Sequence, residues 1–490
     1  MNVVFVQNDI LLRVGTTTLA GVLKAAGHNV EVVVEPLERD ATQAIRERRP
    51  DLVAFYATTT MVPWIRRRAR DVKRALGVPI AIGGPHPSFE PSIVTDPSID
   101  FACRGEGEGA VLDLLDALEH KRDPSGIPNI AVKDGDGFKA NPLRPYAHPL
   151  DELPDPDFTP FARYRAIRDY YRYAYPVMTG RGCPYDCVFC FIPQYRALYK
   201  GGGKHIRWRS YERIIAEMKH VMDRFGVRRF VFEDDTFILY KKWLHGFGDL
   251  YEKELRAPFI CQTTAVSLDD DTVALLKRMG CTAVRFGLES GDETTRMDIL
   301  KKDVSNIDVI RAARLLKEAG LQLQTYNLFG VPNETVESAL ETFRMNRAIG
   351  TDFAWTAILT PYPGTEVPGL PGGGHPESFP SSFHNPHSPV EPEILHLQRL
   401  LQIFLVTRAP EWLVRKVISL RFPRVYHALY QAAHALSLKS ITHVPWAPFL
   451  QMALTSRRYL HTGNPEANAP VVEEPVPAAP APVVQLRRSA

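Results

Sequence analysis

The chain has 490 residues, enough for about three domains of ordinary size. It is 45% hydrophobic and 23% charged, with 59 Lys+Arg against 56 Asp+Glu and a formal net charge of +3. These values exclude a wholly disordered chain, a collagen-like chain, a disulfide-stapled scaffold and a global nucleic-acid footprint.

The N-terminus, MNVVFVQNDI, has no basic region and no cleavage site, so it predicts a first strand rather than a signal peptide. Residues 1–120 then alternate strand and helix. Helical patterns run over Leu19–Ala26, Ala41–Arg49 and Trp64–Leu76, and the first and third stop at Gly27 and Gly77. Strand patterns fall at VVFVQ, Asn29–Val34, Leu52–Tyr56 and PIAIGG. This rhythm predicts a doubly wound parallel sheet, which binds ligands at the carboxyl ends of its strands. Residues 121–175 are rich in Pro, Asp and Tyr, and 141–172 read as a linker between domains 1–140 and 173–362.

A second alternation follows. Its strands are predicted at Tyr175–Thr179, Arg229–Glu233, Phe259–Ala265, Ala283–Leu288, Leu323–Phe329 and Ala354–Leu359, with helices between them. Six such units predict a partial (β/α)6 barrel, with its site at the strand C-termini. Residues 363–392 read as loop, 393–462 as a helical C-terminal region and 463–490 as a disordered Pro/Ala tail. From 391 to 462 there are nine Lys/Arg against three Glu. The expectation for these helices is a lid over the barrel mouth that shapes the substrate pocket. The alternative is peripheral contact with an acidic or membrane surface. The uncharged stretch 440–456 contains Pro445 and Pro448 and is too short for a membrane span. A cytoplasmic location, at most peripheral to a membrane, is therefore expected.

Three of the six cysteines lie within eight residues, in Gly182-Cys183-Pro-Tyr-Asp-Cys187-Val-Phe-Cys190. The segment follows the first barrel strand, on the catalytic face. Three thiolates on one short loop can hold three irons of a cubane and leave the fourth open. Structural zinc is the alternative, but it takes four closed ligands, and the closest histidine in sequence is His205. Cys103, Cys261 and Cys281 have no cluster-forming spacing and read as buried apolar groups.

The C-x3-C-x2-C spacing, with Phe189 before the third cysteine, resembles the radical S-adenosylmethionine (radical SAM) superfamily. The resemblance implies that Cys183, Cys187 and Cys190 ligate a 4Fe–4S cluster. The open iron would bind SAM, whose reductive cleavage yields a 5′-deoxyadenosyl radical. It further implies SAM contacts at Glu233, Asp234 and Asp235, at Glu289 and Ser290, and at Gly330 and Glu334. Each of these also has a structural alternative, since acids after strands cap helices.

In the first domain three segments follow strands: Thr58-Thr59-Thr60, Gly83-Gly84-Pro-His86, and Arg104-Gly105-Glu106-Gly-Glu108. The first loop lacks G-x-G-x-x-G and a phosphate-loop lysine, which disfavours a dinucleotide fold. Upstream of the cysteine triplet, these segments resemble the cobalamin-binding domain of cobalamin-dependent radical SAM enzymes. That resemblance implies that Thr58, Thr59, Thr60, Gly83, Gly84, His86, Gly105 and Glu106 surround a cobalamin. The family's D-x-H-x-x-G histidine is absent, because Asp9-Ile-Leu11 stands there, so cobalt has no histidine beneath it from this motif.

The expected activity is methylation of an unactivated carbon in a small-molecule or lipid-like intermediate. The expected reductant is an external one-electron donor such as flavodoxin or ferredoxin, and no nucleic-acid partner is expected. Radical cyclisation or rearrangement with the same cofactors is the enzymatic alternative. A cobalamin or iron–sulfur sensor is the non-enzymatic one.

Overall fold

The computed structural model describes residues 1–370 and 390–462. Most of the expected loop and all of the expected tail lie outside the described residues. The first sheet holds seven strands: β1 (Asn2–Gln7), β2 (Asn29–Val34), β3 (Leu52–Tyr56), β4 (Ile80–Gly83), β5 (Phe101–Cys103), β6 (Ile130–Asp134) and β7 (Gly137–Ala140). Their order is β2-β1-β3-β4-β5-β6-β7. The first five are parallel, whereas β5–β6 and β6–β7 pair antiparallel. Near-continuous apolar runs such as Leu52–Phe55 are buried because helices cover both faces. The order switches direction between β1 and β3, which opens a crevice at their carboxyl ends.

The stretch expected to be a linker is more than a tether. It carries the short helices Thr159–Ala162 and Arg165–Tyr171. Phe158, Phe161 and Ile167 are buried in the same core as strands of both domains. Tyr164 reaches back to bond the β2 backbone, and Tyr171 accepts from Leu12 N–H. Its aromatic residues are therefore packing groups, and they join the two halves.

The second domain contains β8 (Tyr175–Val177), the two-stranded ribbon β9 (Gly180–Arg181) with β10 (Arg207–Trp208), then β11 (Phe230–Phe232), β12 (Phe259–Thr263), β13 (Cys281–Glu289), β14 (Gln322–Phe329) and β15 (Phe353–Ile358). Six strands form one parallel sheet in the order β15-β14-β13-β12-β11-β8. This is the expected open barrel of βα units.

Ala174, Val231, Ile260, Ala283 and Phe353, near the strand starts, cluster with Ile441 from the helix Pro423–Thr442. His434 of the same helix packs edge-on against Trp355 and tilted against Phe353. The helix Pro423–Thr442 therefore covers the bottom of the barrel, where the apolar row at the strand starts needs a cover. The helix Pro392–Val406 instead runs along the edge strand β15, with Gln402 accepting from Ala354 N–H and Gln398 donating to Thr356 O. Met452 of the helix Trp446–Thr462 joins the core shared by both domains. Among the described residues none of these helices lines the cavity at the mouth. Cys261 and Cys281 are buried, as expected of packing groups, whereas Cys103 is half-buried and lines the cavity between the domains.

The aromatic cluster behind β11 and β12 gives a direct test. Phe259 is fully buried and packs edge-on against Phe232 and Tyr251. Phe259→Ala is expected to destabilise the barrel by about 3–5 kcal/mol, read as a lower thermal midpoint with little change at the first sheet.

Candidate active site between the two domains

A cavity of ≈ 630 Å³ lies where the carboxyl ends of the two sheets face each other. From the first domain it is lined by Leu11–Gly15 after β1, Tyr56 at the end of β3, and Gly83, Gly84, Gly105 and Glu106. From the second domain it is lined by Met178, Arg181, Gly182, Phe191, Glu233 and Asp235. Gly84 has φ +108, and a Cβ there would lie 3.0 Å from Ala57 O and 3.1 Å from the Tyr56 ring. Only glycine keeps this turn flush with the cavity wall.

The other expected cobalamin residues sit apart from this lining. Thr59 Oγ1 bonds His86 Nδ1 at 3.1 Å, and Thr58 and Thr60 pair their hydroxyls at 3.2 Å. His86 is buried, and burial together with nearby Arg66 pushes its imidazole down to about 4. Among the described residues it is not part of the cavity wall.

Glu106 does unexpected work. Its carboxylate accepts from Arg207 at 2.6 and 3.1 Å, from Arg181 at 3.0 Å and from Ala147 N–H at 2.8 Å. Arg181 also bonds Glu108 at 2.6 Å. Arg207 lies 4.5 Å over the Tyr146 ring, which stacks on Tyr199. Tyr199 in turn accepts the Glu106 N–H at 2.6 Å, and a Cβ on Gly105 would lie 2.1 Å from its hydroxyl. The loop after β5 is thus clamped to β9 and β10, two residues before Cys183.

The cysteine loop runs from β9 to the helix Ile192–Leu198, with all three thiols half-buried. His205, set aside as a ligand on sequence grounds, accepts the Cys183 N–H through Nε2 at 3.3 Å and meets Tyr146 OH at 3.0 Å. It braces the loop. Asp234 also works from behind: one carboxylate oxygen accepts from Thr179 N–H, Thr179 Oγ1 and Gly180 N–H at 2.7–2.9 Å. Burial outweighs those bonds and pushes this acid up to about 7. Glu233 and Asp235, its neighbours in sequence, face the cavity instead. Alternation along the strand end separates the three acids into two roles.

Across the mouth, Glu289 at φ +61 pairs with Lys302 at 2.8 Å. A Cβ on Gly287 would lie 2.0 Å from Glu289 Oε1 and 2.2 Å from Lys302 Nζ, so that glycine makes room for the pair. The ammonium lies 5.9 Å from the centre of the Phe189 ring. Ser290 is buried, and its Oγ accepts Asp292 N–H. Glu334 accepts Gly330 N–H at 2.5 Å, and its other oxygen is buried without a partner. Burial pushes this carboxyl up to about 8.

Inside the barrel, one row above the apolar plug, the side chains are polar. Arg285 Nε and Trp355 Nε1 both donate to Gln324 Oε1, at 2.9 and 3.2 Å. Arg285 stands 3.9 Å from Glu233, and Tyr326 OH donates to Gln262 at 3.0 Å. The Gln324 amide nitrogen is buried without a partner. Barrels usually fill such layers with branched apolar side chains. Arg181, Arg207, Lys302 and, apart from Glu233, this polar row have no motif that singles them out in the sequence. The only local signal was the position of Arg181, two residues before the first cysteine.

These residues fit the expected groups. Three thiols on an open loop suit a cluster with one free corner. The glycine-walled cavity reaching from the first sheet to Glu233 and Asp235 suits a large organic cofactor facing the barrel.

Comparison with known proteins agrees. Residues 177–345 match the radical SAM superfamily and residues 6–115 match the B12 binding domain. The chain is 30% identical over 354 residues to an uncharacterized methyltransferase of Pyrococcus horikoshii, covering 69% of this chain and 74% of that one. It is 28% identical over 365 residues to the anaerobic magnesium-protoporphyrin IX monomethyl ester cyclase of Rubrivivax gelatinosus, covering 71% and 64%. Its fold matches the radical SAM methyltransferase TsrM of Kitasatospora setae, a structure with cobalamin and a 4Fe–4S cluster bound. That match has a TM-score of 0.62 and 20% identity, and covers 75% of this chain and 74% of that one. The chain belongs to the cobalamin-dependent radical SAM enzymes, and its cofactors are a 4Fe–4S cluster, SAM and cobalamin.

The clamp between the domains predicts a pH signature. Burial pushes the Glu106 carboxyl up, but Arg207 and Arg181 outweigh it and hold the group below its ordinary 4.5. The stability it contributes is therefore present above pH 4.5 and lost as pH falls through the lower folded-state value. Glu106→Gln is expected to cost about 3 kcal/mol at neutral pH, the scale of a broken buried pair. It should also flatten the acid limb of the stability profile, read by thermal melts across pH.

Proposed function

We propose that this cobalamin-dependent radical SAM enzyme methylates an unactivated carbon of a small-molecule substrate held in the barrel lumen. The observation that carries the reading is the placement of the cysteine loop. Its flanking residues Gly182 and Phe191 line a cavity walled on its far side by Gly83, Gly84 and Gly105.

Cys183, Cys187 and Cys190 would hold the cluster. Asp235, Ser290, Gly330 and Glu334 would surround SAM, with Phe189 beside it, while Gly83, Gly84 and Gly105 would face the corrin. When bound, these groups supply a radical able to abstract hydrogen from carbon, a methyl donor and the electron relay between an external reductant and SAM. The chain's residues hold and shield them. Asp234 fixes the strand end that leads into the cysteine loop. Lys302 places a fixed positive charge near Cys187 and Cys183. Phe191, Ile192 and Tyr195 close the cavity with apolar surface, which excludes water from reactive intermediates. No side chain needs to act as a general base in a hydrogen-atom abstraction.

The row Glu233, Gln262, Arg285 and Gln324 favours a substrate that presents a polar group to the barrel floor over a wholly apolar, lipid-like one. The reductant is a one-electron donor of the flavodoxin or ferredoxin type. Ring closure is the second reading, favoured by the likeness to the cyclase of Rubrivivax gelatinosus.

Two outcomes follow. Replacing any one of the three cysteines with Ala is expected to abolish cluster assembly and SAM cleavage, read as iron and sulfide at background and no 5′-deoxyadenosine. With a turned-over substrate, the product mass should rise by one methylene unit, and a loss of hydrogen without that gain would select ring closure.

A further inference from the structure

We propose that the exposed face of the last helices, residues 412–454, is a docking surface for a bilayer containing anionic lipids. This stands apart from the reaction assigned above. Three observations carry it.

The first is charge. Residues 412–462 contain seven Lys/Arg and no Asp or Glu, in a chain that is otherwise nearly balanced. Arg415 is engaged by Glu337 and Glu411. Among the described residues Lys416, Arg421 and Arg424 are exposed and make no ion pair.

The second is the pattern of apolar exposure. The helix Pro423–Thr442 buries Tyr426, Tyr430 and Ile441 against the barrel. Its opposite stripe is Val425, Leu429, Ala432 and Leu436, spaced i, i+4, i+7, i+11, and all four are exposed. Leu436 is 57% exposed and Val425 54%. The next helix, Trp446–Thr462, repeats the pattern with Trp446, Leu450 and Leu454, again exposed at i, i+4 and i+8. Scattered surface leucines are ordinary, but ordered stripes on consecutive helices are not.

The third is the arrangement of mixed groups. Lys439 lies 4.3 Å over the Trp446 ring, and Phe422 and Trp412 stand exposed beside Arg421 and Lys416 in sequence. Aromatic rings and basic side chains set beside an apolar stripe are the composition of a helix that lies in a lipid interface.

Charge chooses the occupant. A second copy would bring the same basic face and repel, whereas an anionic headgroup layer complements it. No helix among the described residues is long and apolar enough to cross a membrane, so the contact is peripheral. Among the described residues none of this face lines the cofactor cavity, so docking leaves the cavity free.

The test uses the full chain with its cofactors, floated with phosphatidylcholine vesicles with and without phosphatidylglycerol, at low and high salt. The proposal expects flotation with the anionic vesicles only, weakened by salt. The double variant Leu429→Glu/Leu436→Glu should reduce it by about ten-fold or more. Its melting profile and SAM cleavage should match the parent's, because both side chains point outward. Absence of flotation with anionic vesicles would overturn the proposal, as would equal flotation of the double variant. A dimer seen by light scattering and dissolved by that variant would assign the face to a second copy instead. Flotation gained only after deletion of 463–490 would assign it to that segment.

Discussion

The arrangement depends on one buried ionic cluster. Glu106 sits on the loop after β5, and Arg181 and Arg207 sit on the ribbon that leads into the cysteine loop. Charges this far from water cost several kcal/mol each to bury, and only close mutual pairing offsets that cost. The pair geometry is therefore narrow, and it holds two otherwise separate ligand crevices mouth to mouth. Tyr146, Tyr199 and His205 stiffen the same junction with stacking and hydrogen bonds. The clamp fixes the loop after β5 against the ribbon that leads into the cysteine loop.

A second constraint is the division of each strand end into a supporting and a presenting side. Asp234 ties down the strand end behind the cysteine loop while Glu233 and Asp235 face the cavity. Gly287 omits a side chain so that Glu289 and Lys302 can meet. The polar row beneath, from Glu233 to Gln324, rests on an apolar floor that includes Ile441. The barrel is dry and sealed below, polar in the middle and open above.

Much of this was legible in the sequence because the informative features are local. Strand and helix periodicity, the glycine turns after β4 and β5, and the cysteine spacing each lie within a few residues. What was not legible arises from contacts far apart along the chain. Glu106 reads as a loop acid beside glycines, and nothing near it announces Arg181 or Arg207. The hydrogen bond between Thr59 and His86 joins two loops 27 residues apart, which nothing local announces. The Pro- and Tyr-rich stretch read as a linker becomes part of the joint core, since Phe158 and Phe161 find partners only after both sheets form. The C-terminal helices read as a lid over the mouth, but the apolar row at the strand starts takes the helix Pro423–Thr442 as its cover at the opposite end.

The central claim is that one chain carries both a radical-generating cluster and a corrinoid in a shared cavity. The most direct measurement is anaerobic reconstitution followed by iron, sulfide and corrinoid analysis, and then 5′-deoxyadenosine formation on addition of SAM and a strong reductant. The account predicts a full cluster, one bound corrinoid per chain and reductive SAM cleavage. Iron and SAM cleavage without any corrinoid uptake would contradict the shared cavity. Zinc in place of iron, with SAM left intact, would contradict the account as a whole.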